Sequence, residues 1–181
     1  MYFAPREFPL RNGQTATFRG PLPTDAASDL ACMRTTFAET DFLLHLLEEV
    51  NPDEARHAAA LQSAANDPNT LLLFCVVNGE VVARMHGSIN PLKKVRHRFR
   101  LGVSVMQEYW SLGIATLLMN AAEEVARTLS CTQMELEVMA HNIRARALYE
   151  RLGYRIVQVR PDAIRLADGQ LIDEYLMIKK L

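Results

Sequence analysis

The sequence has no long apolar run, and its charges nearly cancel. The longest uninterrupted apolar stretch, Leu71 to Val77, is far too short to span a bilayer. A net charge of −1 on 181 residues gives no electrostatic reason to expect nucleic acid or an anionic membrane as a partner. The first residues, MYFAPREFPLRNG, contain no apolar core preceded by basic residues, so they do not indicate a secretory signal. We therefore expect a cytoplasmic protein that binds neither nucleic acid nor membrane.

Cysteine is scarce, and sequence repeats and flexible linkers are absent. Cys32, Cys75 and Cys131 are odd in number, lie in apolar surroundings and lack the spacing of metal ligands. These features predict buried thiols in a reducing compartment, without a disulfide or a metal site. With 49% apolar and 23% charged residues the composition is that of an ordinary globular protein. We expect a single domain over residues 1–181.

The first half of the chain alternates between strand and helix patterns. A strand over 14–20 is followed by PLPTD, in which Thr24 is the expected N-cap of a first helix. A second helix is expected over 53–66. Asn78-Gly79 then predicts a tight hairpin between two apolar strands, and HRFRLGVSVM predicts a third strand beside them.

In the second half of the chain, the spacing of apolar residues changes from that of a strand to that of a helix and back again. Apolar residues from Ile114 to Leu129 recur at helical spacing, and QMELEVM returns to alternation. Asn142 is the expected N-cap of a further helix that Gly153 ends. Two more strands surround an Asp168-Gly169 turn. The pattern predicts an α+β fold with a mixed, mostly antiparallel sheet of six to seven strands and flanking helices.

Small residues lie at the corner between the third of these neighbouring strands, HRFRLGVSVM, and the amphipathic helix. The segment YWSLGIAT contains Ser111, Gly113 and Ala115, which allow a ligand to approach the backbone. The free N–H groups and the dipole of a helix start favour phosphate there. The segment lacks the lysine of a P-loop and the glycines of a dinucleotide-binding fingerprint. A tight corner that binds nothing is the alternative.

Two segments resemble signatures of the GNAT superfamily of acyl-CoA-dependent N-acyltransferases. The family's phosphate-binding motif is Gln or Arg, two residues, Gly, one residue, then Gly or Ala. It matches from Trp110 to Ala115, except that Trp110 replaces the first polar residue. The stretch LEVMAHNIRARALYERLGY is similar to the family's second signature. The resemblance covers most of the chain and implies a sheet whose central strands splay apart to admit the cofactor.

The resemblance implies acetyl-CoA as the acetyl donor and assigns residues to it. The backbone N–H groups of six residues would hold the pyrophosphate: Ser111, Leu112, Gly113, Ile114, Ala115 and Thr116. The backbone of Val103, Ser104 and Val105 would pair with the pantetheine amides. The side chain of Asn142 would form a further cofactor hydrogen bond in addition to capping its helix.

Acetyl transfer to an amine needs a proton acceptor for the amine and a proton donor for the departing thiolate. Tyr149 occupies the position of the family's thiolate-protonating tyrosine, and a phenol with a pKa of about 10 stays protonated at neutral pH. The alternative for Tyr149 is a packing role. Glu137, a carboxylate amid an apolar strand, is the candidate base; the alternative is a solvent-facing glutamate beside Glu135.

Two classes of function remain open from the sequence. The first is an N-acetyltransferase that moves an acetyl group directly from acetyl-CoA to a primary amine in a ternary complex, since no cysteine is placed to suggest a covalent intermediate. The second is a non-catalytic module that binds or senses acyl-CoA. The acceptor is left open among a small amine, a polyamine and a peptide N-terminus, and its choice is expected to depend on the segment ETDFLLHLLEEV and the last hairpin. A homodimer is left open as well.

Overall fold

The computed structural model describes residues 1–51 and 53–181, and in them it contains one eight-stranded sheet and four α-helices. The strands are β1 (Arg6–Pro9), β2 (Thr15–Arg19), β3 (Thr70–Val77), β4 (Glu80–Ile89), β5 (Arg98–Val105), β6 (Gln133–Met139), β7 (Arg155–Arg165) and β8 (Leu171–Lys180). The helices are α1 (Ala26–Glu39), α2 (Glu54–Asn66), α3 (Ile114–Thr128) and α4 (Ile143–Arg151).

The sheet is almost entirely antiparallel. The strand order is β1-β2-β3-β4-β5-β6-β8-β7. Only β5 and β6 run parallel, because the α3 crossover connects them. The mixed, mostly antiparallel α+β fold predicted from the sequence is confirmed.

The sheet has one strand more than the six to seven expected. The additional strand is β1, whose sequence REFP contains two charges and a proline and therefore gives no strand pattern. Pairing with β2 holds it in place, from Arg6 opposite Phe18 to Pro9 opposite Thr15. Phe8 also packs on Phe18, with ring centroids 4.7 Å apart. Proline is tolerated because β1 is an edge strand.

The turns and caps follow the sequence with one exception. Asn78 and Gly79 both have positive φ in the β3–β4 hairpin, and Gly153 (φ 92°) ends α4. Asn142 caps α4, with its Oδ1 accepting a hydrogen bond from the Ala145 N–H. The prediction of Thr24 as the N-cap of α1 was wrong. A 3₁₀ turn, Pro23–Asp25, precedes α1, and the Asp25 carboxylate accepts the Leu22 N–H at 2.7 Å.

The helices cover the two faces of the sheet unequally. The amphipathic helix α3 and the buried Tyr149 of α4 join one apolar core that runs from β2 to β8. On the opposite face, Ala26 and Cys32 of α1 and Leu61 of α2 pack on β3 and β4. Among the described residues, neither α1 nor α2 packs extensively on β5, β6 or β8.

The strands β5 and β6 meet over a short distance and then separate. Three residue pairs join them, from Arg98 with Gln133 to Arg100 with Glu135. Beyond this point β5 continues along β4 as far as Val105, and β6 continues along β8 as far as Met139. The central strands are thus splayed, as the family resemblance implies.

The packing at this junction predicts that Gly87→Ala is destabilising. Gly87 lies against Phe99, which is fully buried, and a Cβ at position 87 would overlap the Phe99 ring. We expect a loss of about 1–3 kcal/mol in the free energy of unfolding, because the ring must leave its rotamer or the strands must move. Urea denaturation measures this loss. Gly102→Ala is the matched control, since nothing lies within 4 Å of its Cβ position. Equal stability of the two variants would contradict the packing argument.

Candidate active site

The separation of β5 and β6 opens a cleft of about 1060 Å³. One end lies at the β5–α3 corner, from Tyr109 to Thr116, and at the start of α4. The other end lies under the last turns of α1 and the loop that follows it. A volume of this size accommodates an extended ligand together with a second molecule.

The β5–α3 corner presents unpaired backbone donors. Leu117 is the first residue in the helical ladder, donating its N–H to the Gly113 carbonyl at 3.1 Å. The N–H groups of Ile114, Ala115 and Thr116 come before that ladder and have no helical acceptor. Gly113 has φ 93°, and nothing lies within 4 Å of the position that a Cβ would occupy. The corner therefore has both donors and space for an anionic group.

Two arginines surround this corner. Arg144 of α4 stacks over the ring of Trp110, 4.6 Å from guanidinium carbon to centroid, and donates a hydrogen bond to the Ser111 hydroxyl at 3.0 Å. Arg11, from the β1–β2 turn, lies 3.5 Å from the Ser111 carbonyl. Both side chains line the cleft. They bring positive charge to the corner, where Trp110 stands in place of the polar residue of the family motif.

The free edge of β5 offers backbone groups at alternate residues. The Met106 N–H donates to the Val82 carbonyl, so the even-numbered residues of this stretch bond to β4. By the same alternation, the backbone groups of Ser104 point to β4, and those of Val103 and Val105 point into the cleft. The Val105 carbonyl already accepts the Trp110 indole N–H at 2.7 Å. The Val103 peptide groups and the Val105 N–H are left for a ligand.

Tyr149 lines the cleft from α4. Its side chain is 7% exposed, and burial raises the pKa of its phenol to about 12. Among the described residues, the only fully enclosed side-chain N or O atom without a partner is Oδ1 of Asp29. The Tyr149 hydroxyl, which forms no hydrogen bond within this part of the chain, is therefore open to the cleft. It is a protonated donor without an intramolecular acceptor.

Glu137 lines the cleft from β6, within a chain of ion pairs. Its Oε1 lies 2.9 Å from Arg160 and 3.1 Å from Arg100. Arg160 also donates to Glu174 at 2.7 Å, and Glu174 lines the same cleft. Glu135, by contrast, is 1% exposed and forms a two-point ion pair with Arg98 outside the large cleft.

The far wall of the cleft is mostly apolar. It consists of side chains from α1 and the following loop: Met33, Thr36, Phe37, Thr40, Phe42, Leu43, Leu44 and His45. Phe42 packs on His141, with ring centroids 5.1 Å apart, and Glu39 accepts the Gln107 N–H at 2.8 Å. These two contacts connect the end of α1 to the opposite wall. Arg84 and His86 of β4 contribute the polar groups of this end.

The structure brings nearly all of the residues predicted from the sequence into one cleft. The residues that line it are Val103, Ser104, Val105, Ser111, Gly113, Ile114, Ala115, Thr116, Glu137, Asn142 and Tyr149. Leu112 is the exception, because its side chain packs against the core and only its backbone belongs to the corner. The sequence interpretation missed Arg11, Arg84 and Arg144. For Arg144, the sequence offered one signal, which is its place two residues after the Asn142 cap.

The three cysteines are buried and unpaired, as predicted. Burial raises the pKa of the Cys32 and Cys75 thiols to about 12, and no cysteine of the described residues lines the cleft. Residues 1–51 and 53–181 contain no group of His, Cys, Asp and Glu arranged to hold a metal ion. The helices described here are also too short or too polar to cross a membrane.

Comparison with known proteins agrees with the geometry. Residues 36–154 match the acetyltransferase (GNAT) family. An N-alpha-acetyltransferase of Saccharolobus solfataricus is 32% identical over 110 residues, which are 58% of this chain and 64% of that protein. This chain thus spans less than two thirds of that relative's length.

Two solved structures have the same fold. A GNAT-family acetyltransferase from Streptococcus pneumoniae superposes with a TM-score of 0.85 at 26% identity, covering 92% of this chain and 99% of that chain. A GNAT phosphinothricin acetyltransferase from Sinorhizobium meliloti, solved in complex with acetyl-CoA, has a TM-score of 0.78 at 18% identity, covering 92% and 88%.

The splayed sheet, the small-residue corner and the family match over two thirds of the chain lead to one assignment. The chain belongs to the GNAT family of acetyltransferases. The resemblance inferred from the sequence, and with it the acyltransferase class, is confirmed.

Proposed function

We propose that this protein transfers the acetyl group of acetyl-CoA directly to a primary amine, with both substrates bound in the cleft. The observation that carries the proposal is that one cleft contains unpaired N–H groups at a helix start and an unpartnered phenol hydroxyl. The relative named an N-alpha-acetyltransferase and the acetyl-CoA complex of a structural neighbour support the same chemistry. The buried, unpaired thiols support a cytoplasmic location.

The residues at the corner fit the phosphates of acetyl-CoA. The N–H groups from Ser111 to Thr116 would hold the pyrophosphate, and Arg144 and Arg11 would neutralise its charge. The free edge of β5 at Val103 and Val105 would pair with the amides of the pantetheine arm. Asn142 lies beside this path, although its Oδ1 is already engaged as the cap of α4. Acetyl-CoA would supply an activated thioester.

Tyr149 would donate the proton that the departing thiolate needs. A thiol ionises near pH 8.5, so a protonated group beside the sulfur favours its departure. The raised pKa of Tyr149 keeps the phenol protonated at every pH below about 12. Loss of this proton therefore cannot lower the rate in the neutral or mildly alkaline range.

Glu137 would accept the amine proton, directly or through a water molecule. An ammonium group has no lone pair, and a free amine of the lysine type has a pKa of about 10.4. Glu137 lines the cleft, and Arg100 and Arg160 hold its carboxylate in one orientation.

The first prediction from the proposed function concerns Gly113. Gly113→Glu should lower acetyl-CoA affinity by about 100-fold or more, because a negative side chain would occupy the phosphate position. Calorimetric titration measures the affinity. Gly169→Glu is the matched control: it has φ 90° and open space at its Cβ position, but lies in the β7–β8 turn. Both variants carry similar backbone strain. Unchanged affinity in folded Gly113→Glu would exclude the corner as the phosphate site.

The second prediction concerns Tyr149. Tyr149→Phe keeps the packed ring and removes the proton, so kcat should fall about 100-fold with little change in acetyl-CoA affinity. Tyr154→Phe is the control, because Tyr154 is an equally buried tyrosine 6.0 Å away that does not line the cleft. It should retain wild-type turnover. Full activity of Tyr149→Phe would favour the packing role. The absence of turnover in the wild type as well as in both variants would favour the acyl-CoA-binding module.

The third prediction concerns the pH dependence of the rate. Glu137→Gln keeps the shape and removes the base, so its rate should continue to rise until the amine deprotonates in solution. The wild-type rate should level off at lower pH. Glu174→Gln removes the other carboxylate that contacts Arg160. In this control the rate should level off at the same pH as in the wild type. Parallel pH–rate profiles for wild type and Glu137→Gln would instead assign deprotonation to water alone.

A further inference from the structure

Arg84 is a cation on the acceptor side of the cleft. It lies in β4 opposite Ser104 of β5, on the sheet face that α1 covers, and its side chain is 22% exposed. The same cleft is lined by Phe37 and Phe42, which belong to the apolar wall. Arg84 thus lies beside the β5 segment that would hold the pantetheine arm, away from the corner that would hold the phosphates.

A buried carboxylate fixes the position of this guanidinium. Asp29 of α1 is fully buried, and its Oδ1 lies 3.4 Å from the Arg84 Nε. Its Oδ2 is 2.8 Å from the His57 Nε2, so Asp29 is shared between two partners. Oδ1 accepts no hydrogen bond, and within the described residues Arg84 donates none. Asp29 therefore forms an ion pair with the Nε side of Arg84, and the two Nη groups have no acceptor among the described residues.

The other charges at this end of the cleft are already paired. The carboxylates of Glu137 and Glu174 are bound by Arg100 and Arg160. His86, next along the same face of β4, has a lowered pKa because of burial and the nearby Arg84, so it is neutral at physiological pH. An unsatisfied, half-desolvated guanidinium fork is a typical recognition group for a carboxylate, which it can bind through two parallel hydrogen bonds.

We propose that Arg84 binds a carboxylate of the acceptor, so that the acceptor is a primary amine that also carries a carboxylate. The inference rests on the proposed acetyl transfer and narrows its substrate class. The apolar wall formed by Phe37, Phe42 and Leu43 fits an apolar side chain next to that carboxylate. A polyamine would place a second cation against Arg84 and is disfavoured. The same carboxylate could come from a free amino acid or from an acidic residue near a peptide N-terminus.

Pairs of acceptors that differ only in the carboxylate test this inference. L-leucine is compared with 3-methylbutylamine, and L-phenylalanine with 2-phenylethylamine. A third pair, Ala-Glu-Ala-Ala amide and Ala-Gln-Ala-Ala amide, represents the peptide source. The kcat/KM of each acceptor is measured at saturating acetyl-CoA in the wild type and in Arg84→Met. Each acceptor is compared with itself across the two proteins, which removes the difference in amine pKa between the members of a pair.

The variant should lose selectivity for the carboxylate. In Arg84→Met, kcat/KM for the recognised carboxylate-bearing acceptor should fall about 100-fold, mainly through KM, and the matched amine should change less than about threefold. Arg84→Lys, which keeps the charge without the fork, should lie between them. If kcat/KM falls in this way for leucine or phenylalanine, the acceptor is a free amino acid. If it falls for the Glu peptide alone, the acceptor is a peptide. Either result supports the proposal.

A second variant separates recognition from folding. Arg84→Met leaves Asp29 buried with His57 as its one partner, so the double variant Arg84→Met/Asp29→Asn removes both charges and keeps a hydrogen-bonding group for His57. It should show the same loss of selectivity. Equal losses for both members of every pair, or a wild type that prefers the amines without a carboxylate, would overturn the proposal.

Titration with acetyl-CoA distinguishes failure of the Arg84 assignment from failure of the proposed acetyl transfer. Normal acetyl-CoA binding without a carboxylate preference would overturn the assignment of Arg84 alone. Failure of the wild type to bind acetyl-CoA would overturn the proposed function, and the acceptor assignment with it.

Discussion

The separation of β5 from β6 is the constraint on which the site depends. Each strand is held on its outer edge by an antiparallel neighbour, β4 for one and β8 for the other, over seven residue pairs. The two strands share only three pairs between themselves. The outer neighbours therefore fix the gap, and the strands cannot close it by sliding together. A free backbone edge inside a folded sheet follows from this arrangement, and so does the exposed start of α3.

The two ends of the cleft differ in net charge. Arg11 and Arg144 concentrate positive charge at the corner, where anionic phosphates would lie. At the other end, Glu137 and Glu174 are balanced by arginines from β5 and β7, so little net field remains. Arg84 differs from those arginines because its counter-ion, Asp29 of α1, is fully buried and does not line the cleft. In the proposed role, this ion pair leaves the remaining donors of the guanidinium for the carboxylate of the acceptor.

Local signals in the sequence predicted the framework of the site. Asn142, Gly153 and the Asn78-Gly79 pair act through their own backbone neighbours, so their roles can be inferred without knowledge of the fold. The period of α3 is likewise determined by one helix and the face that it buries.

Other features depend on contacts between residues far apart in the chain, and the sequence did not indicate them. The strand β1 exists because β2 provides a partner for an otherwise polar segment. Glu137 looked like an isolated carboxylate because its partners, Arg100 and Arg160, come from two other strands: β5, and β7 at the edge of the sheet beyond β8. Thr24 was misplaced as a cap because it lies inside a 3₁₀ turn, Pro23–Asp25, and α1 begins after Asp25 without a side-chain cap.

The replacement of a polar motif residue by Trp110 has an evolutionary consequence. The indole donates to the Val105 carbonyl, and its face carries the guanidinium of Arg144. If the corner binds phosphates as proposed, a polar residue at 110 would contact them directly, and it would give Arg144 no aromatic surface on which to stack. The two positions should therefore vary together among related sequences, with arginine at 144 accompanying an aromatic residue at 110. Such a correlation would indicate that the proposed phosphate-binding side chain was replaced in evolution, at the α3 corner, by an arginine on α4.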